Sequence, residues 1–160
     1  MKSLIIAATI LLSTFSAHAA DGALSSLLSL YYDVKNALVS SDATTAGAKA
    51  AAFAKAAAQV DMQALSAAEH EAFIPLQHKL VADAAAIAKS ADLSTQRENF
   101  KTLSNNFYIL AKAVKLSGAP VYQQYCPMQK SYWLSADAAV KNPYYGKQML
   151  TCGKVTETLQ

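Results

Sequence analysis

Along most of the chain, apolar residues recur at alternating steps of three and four, the spacing of one helix face. In ALSSLLSLYYDVKNALVSS the series is Leu24, Leu27, Tyr31, Val34 and Leu38, and Ser40-Ser41-Asp42 follows with stop and capping chemistry. TTAGAKAAAFAKAAAQV repeats the rhythm through Ala46, Ala50, Phe53, Ala57 and Val60. Its alanine bias reads as plain packing, because alanine is the best helix former and lets helices approach closely. A third helix is predicted from Ser66, whose spacing to Glu69 is that of a capping box, and continues through Phe73, Leu76, Leu80 and Ile87. Pro75 removes a backbone donor inside it, so a kink or break is expected near Ile74. The fourth pattern follows Asp92-Leu93-Ser94 and runs through Phe100, Leu103, Phe107, Leu110 and Val114 until Gly118-Ala119-Pro120.

Short connectors make sequential helices antiparallel neighbours. The expected fold is therefore all-α: an up-down-up-down four-helix bundle over residues 20–118. From Val121 the style changes. The tail holds five of the eight tyrosines, the single tryptophan (Trp133) and both cysteines. We expect residues 119–160 to form a small irregular aromatic and Cys/Met cap, with a short strand or two, packed on one end of the bundle within the same domain.

The first twenty residues, MKSLIIAATILLSTFSAHAA, alter the picture of where the chain works. Lys2, the apolar run Leu4 to Leu12 and the small-x-small site Ala17-His18-Ala19 have the layout of a secretory signal peptide, and the run is too short to span a bilayer. Cleavage is expected after Ala19, leaving a soluble product exported to a periplasm, with no membrane insertion. No cysteine follows the cleavage site to carry a lipid. The formal charge of +3 falls to +2 without Lys2, Arg97 is the only arginine, and the lysines are scattered. That distribution argues against nucleic acid, which requires a concentrated basic face.

The candidate chemistry lies in two short stretches. Cys126 and Met128 would share a face if Tyr125 to Met128 were extended, and Met149 and Cys152 would share one if they formed a helical turn. Two thiolates and two thioethers would suit Cu(I) or Ag(I), since hard cations want oxygen and thioether is a poor zinc ligand. The same cysteines, in an oxidising compartment, could instead form a disulfide, which in the chain-entropy model is worth about 3–4 kcal/mol. Methionine is also an ordinary gap-filler beside aromatics. Spacing alone favours the bridge and leaves all three readings open.

His70 and His78 are eight residues apart on one helix, too far along the axis to chelate one ion, and are expected to face solvent. Haem is not expected, because no C-x-x-C-H site is present. Glu69 and Glu71 lack the partner histidine of a di-iron bundle. Arg97 is expected to pair with a carboxylate or to cap the tail. Trp133, Tyr144 and Tyr145 read as cap core.

The string VYQQYCPMQKSYWLSADAAVKNPYYGKQMLTCGKV resembles the C-terminal signature of a bacterial family of unknown function. That family occurs as small exported proteins and as a C-terminal extension of some periplasmic adaptor subunits in copper/silver-type heavy-metal efflux systems. The pieces that carry the resemblance are Tyr125–Met128, Trp133–Ser135, Asn142–Gly146 and Met149–Gly153, with YYDVKNALVSSD and QRENF upstream. One departure is the short segment between Met128 and Trp133, where many relatives carry a longer glycine-containing insert. The resemblance implies copper or silver handling, with Cys126, Met128, Met149 and Cys152 as the ligand set and an efflux adaptor or related envelope protein as partner. The expected function is non-enzymatic soft-metal binding for tolerance or delivery. The competing class is a disulfide-stapled, metal-free interaction module.

Overall fold

The computed structural model describes residues 22–160; the signal-peptide expectation lies outside them. Four helices form where the three-four spacing places them: α1 (Ala23–Val39), α2 (Ala43–Ala58), α3 (Ala67–Lys89) and α4 (Leu93–Ala113). Every seam residue named for the first helix is buried, as are Ala46, Ala50, Phe53 and Ala57 of α2 and Phe100, Leu103, Phe107 and Leu110 of α4. Asp42 caps α2 by accepting from Thr45 N at 2.9 Å, and Asp92 caps α4 through Thr95 N at 2.7 Å. The Ser66–Glu69 capping box is formed in full. Such caps are worth about 1 kcal/mol each.

Two local expectations change. α3 runs unbroken through Pro75. The proline and Glu71, whose carbonyl loses its intrahelical partner, are both exposed, so water can satisfy that carbonyl. α4 stops at Ala113 rather than at Gly118, because Val114 already has an extended backbone.

Hydrogen bonds between helix ends fix the up-down-up-down order. Gln96, in the first turns of α4, donates to Ala43 O at the start of α2 and to Ser90 O at the end of α3. At the opposite end, Ser25 of α1 donates to Leu116 O beyond α4. Consecutive helices pack side by side, whereas α1 and α4 are joined through side chains more than by close backbone approach. The Tyr31 ring stacks on Phe100 and Phe107 with centroids 5.3 and 5.0 Å apart.

The protein is not all-α. The tail, expected to be an irregular cap, forms a three-stranded antiparallel sheet of order β2-β1-β3: β1 (Val121–Cys126), β2 (Ser131–Ser135) and β3 (Lys154–Leu159). Nor does it sit only on one end of the helices. Its contacts run the length of α4, from Arg97, which donates to Pro143 O, to Lys112, paired with Glu157 of β3 at 3.0 Å. The strands escaped the pattern reading for a physical reason. β2 is buried on both faces except at Tyr132, so it shows no alternation. β1 carries two buried glutamines, with a register shift between Gln123 and Gln124 where it pairs with β3. β3 is polar and mostly exposed.

Edge strand β2 has outward-facing backbone groups that need partners. Leu134 N–H donates to the Tyr31 hydroxyl at 3.0 Å, and the Tyr144 hydroxyl donates to Tyr132 O. The Tyr31 hydroxyl also bonds Ser104 Oγ at 2.7 Å, so one phenol links α1, α4 and β2. Burial pushes the Tyr31 and Tyr144 phenols above their ordinary range, keeping both neutral and able to donate.

Candidate functional site

Cys126 is the last residue of β1 and is fully buried; Cys152 is half-buried on the segment leading into β3. β1 pairs with β3 through Tyr125 and Lys154, which carries Cys152 to the end of β1. Both cysteines are free thiols, and the β1–β3 register sets them at the same end of the sheet. Partial burial, and then the adjoining Cys126 thiol, push the Cys152 thiol above its ordinary range. The thiol is thus a weaker acid than a free cysteine and a poor nucleophile at neutral pH.

Gly153 makes this approach possible. A Cβ there would lie 2.8 Å from Tyr125 O and 3.0 Å from the Trp133 ring, and its φ of +149° is one that side-chain-bearing residues rarely adopt.

The thioethers are placed differently from the thiols. β1 ends at Cys126, so Met128 does not share a strand face with it; it sits in the turn Pro127–Lys130 and is 63% exposed. Met149 follows a short 3-10 turn, Gly146–Gln148, and is 37% exposed. Cys152 N donates to Met149 O at 3.0 Å, so these two residues do bracket a single turn. The structure brings the two thiols together and leaves both thioethers at the surface beside them in sequence.

Asn142 is the residue that pattern reading missed. Fully buried, it accepts from Tyr144 N at 2.8 Å and donates through Nδ2 to Cys152 O at 2.7 Å. Its own N–H donates to Leu150 O at 2.8 Å, and its carbonyl accepts from Gly146 N at 2.9 Å. It thereby holds both ends of the loop that carries Met149 and Cys152. The Asn-Pro pair was a turn signal in the sequence; that its amide reaches ten residues onward was not. Asn142→Ala should cost roughly 2–3 kcal/mol for the stranded buried partners. It should also raise the rate at which a thiol reagent modifies Cys152, followed by absorbance on the reduced protein. An unchanged rate would show that Asn142 does not position the thiol.

Arg97 caps the tail and, among the described residues, pairs with no carboxylate. It donates through Nε to Pro143 O at 2.9 Å and through Nη2 to Leu38 O and Ser41 Oγ, each at 3.0 Å. Trp133 is fully buried and meets Tyr144 edge-on at 5.8 Å, as cap core. His70 and His78 are exposed on α3. Among the described residues, no three His, Cys, Asp or Glu side chains come together, and no helix is long and apolar enough to cross a membrane.

Fold and site together define a helical domain flanked by an antiparallel sheet whose end carries paired thiols. Residues 27–118 match a family described as Protein of unknown function (DUF3347), and the chain belongs to that family. The match covers the helices and ends before β1, so the sheet and the four candidate ligands Cys126, Met128, Met149 and Cys152 lie beyond it. No curated protein and no solved structure matches the chain.

Proposed function

We propose that the protein binds Cu(I) or Ag(I) in the periplasm, for metal tolerance or for delivery to an efflux system. The observation that carries this reading is the β1–β3 register, which brings Cys126 and Cys152 to one end of the sheet, each with an exposed thioether two or three residues away. Thiolate and thioether sulfur select soft ions, while zinc sites want four N/S ligands and hard cations want oxygen cages. Cys126 and Cys152 are the thiolate ligands in this reading, each losing its proton on binding. Met128 and Met149 complete or tune the coordination and offer exchangeable donors on the solvent side, which suits handover. The exported-protein layout of residues 1–19 and the resemblance of the tail to an extension of efflux adaptors support the compartment and the partner.

Titration of fully reduced protein with Cu(I), with stoichiometry read by native mass spectrometry, tests this. One ion per chain is expected, and Cys126→Ser or Cys152→Ser should abolish one-to-one binding. Met128→Leu combined with Met149→Leu should weaken it by roughly tenfold to a hundredfold, the scale of losing supporting interactions at a metal site. No uptake by the reduced wild type overturns the reading; wild-type affinity in the double methionine variant removes the thioethers from it.

The same proximity of thiols supports a second reading, in which they are oxidised to a staple and the domain acts as a metal-free interaction module. Intact mass of the periplasmic protein before and after alkylation separates the two states.

A further inference from the structure

The segments around the two cysteines are lysine-rich as well as sulfur-rich; the neighbouring carboxylate, Glu98 of α4, which shares a hollow with Gln129 and Gln148, is already paired with Lys101. Segments 125–132 and 144–154 contain Lys130, Lys147 and Lys154, all exposed, and no aspartate or glutamate. The ion pairs formed among the described residues use Lys49, Lys101, Lys112 and Lys141. Among the described residues, Lys130, Lys147 and Lys154 form no ion pair. Between them, Met128 at 63%, Tyr132 at 38% and Leu150 at 37% are exposed. A groove of about 240 Å³, lined by Tyr125, Pro127, Gly153 and Lys154, opens beside the cysteines.

Lys130 closes the turn between β1 and β2. Its φ is +50°, a left-handed conformation that glycine adopts freely and that costs a side-chain-bearing residue about 1 kcal/mol or more. The turn thus presents a charged side chain where its backbone would suit glycine.

We propose that this end of the sheet is a docking surface for an acidic polypeptide segment of a partner protein, which lays its carboxylates over Lys130, Lys147 and Lys154 and its apolar side chains along the Tyr125–Pro127 groove. The proposal rests on the metal-binding reading insofar as docking there places the partner's donors beside the thiols. Opposite charge steers the encounter and fixes its register, so affinity falls as salt rises.

The experiment uses the reduced protein, without and with Cu(I). The probes are a synthetic peptide of Asp and Glu interspersed with Met and Leu, and the same peptide with Lys replacing the acids. Amide shift changes in two-dimensional NMR report the site. The acidic peptide should perturb residues 126–132 and 145–154 and bind about tenfold more weakly when salt rises from about 25 to about 250 mM. The basic peptide should perturb neither segment.

The triple variant Lys130→Glu, Lys147→Glu, Lys154→Glu should lose the acidic peptide. Lys130→Gly should weaken docking while leaving the unfolding midpoint unchanged or higher. Shifts that map to the helices, binding that survives the charge reversal, or a preference for phosphatidylglycerol vesicles over the peptide would each overturn the proposal. Cu(I) stoichiometry is read separately on the same samples. A protein that loads Cu(I) and ignores the peptide refutes docking alone, and one that docks the peptide without loading Cu(I) refutes the metal reading.

Discussion

Gly146→Ala is expected to destabilise the protein by roughly 2–4 kcal/mol, from left-handed strain and overpacking together. Gly146 has a φ of +56°, where a Cβ crowds the following carbonyl. An added Cβ would also lie 2.7 Å from Arg97 Nη2, 2.7 Å from Ser41 Oγ and 2.9 Å from Val39 O. Those atoms cannot retreat cheaply. Val39 O belongs to the end of α1, and Arg97 is already held by Leu38 O, Ser41 Oγ and Pro143 O. The substitution should therefore push the loop carrying Met149 and Cys152 off the helices. Urea denaturation of reduced Gly146→Ala beside Gly118→Ala is the measurement. Gly118 has open space around it and no left-handed φ, so its variant should stay within about 0.5 kcal/mol of wild type. Equal effects at the two glycines would show that the contact at the α1 terminus is not tight.

Lys35→Met is expected to do the opposite and stabilise the fold. Lys35 projects from α1 with only 3% of its surface exposed and forms none of the ion pairs found among the described residues. Burial is the main force lowering its pKa from 10.5 to about 8, opposed by nearby Asp137 and assisted by Lys141.

The sign follows from linkage. Below pH 8 both folded and unfolded states hold the proton, and the folded state bears the cost of a largely buried charge. Between about 8 and 10.5 the unfolded chain holds more protons than the folded one, so wild-type stability rises with pH. A depression of this size corresponds to about 3 kcal/mol. The methionine variant should thus gain roughly 1–3 kcal/mol at pH 6–7, with the gain shrinking toward pH 10. Denaturant midpoints across that range measure it, and a constant offset at every pH would contradict the account.

How much of this was legible in the sequence depends on the range of the interaction involved. The helices were, because a three-four seam such as Phe100, Leu103, Phe107 and Leu110 is a property of neighbouring residues. So was the Ser66–Glu69 box, whose two hydrogen bonds close within four residues. The sheet was not. Trp133 and Leu134 point to opposite faces of β2, and both faces are covered, by Tyr144 on one side and the helical core on the other. Alternation therefore vanishes where it would have announced a strand.

The Cys/Met spacing marked the right segments, but the geometry between them is set at long range. Cys126 ends β1 because its partner Ser131 begins β2, and this moves Met128 into the turn. The hold of Asn142 on Cys152 O spans ten residues, and that of Arg97 on Pro143 O spans forty-six. No local pattern contains either.

The seating of β2 on α1 has a consequence for ancestry. The outward N–H of Leu134 is satisfied by a phenol belonging to the first helix, and the same phenol is steadied by Ser104 of the fourth. A sulfur-bearing tail of this kind is no portable cassette. Grafted to an unrelated carrier it would arrive with a ragged, thirsty border, so wherever such a tail recurs in nature its helical half should travel with it.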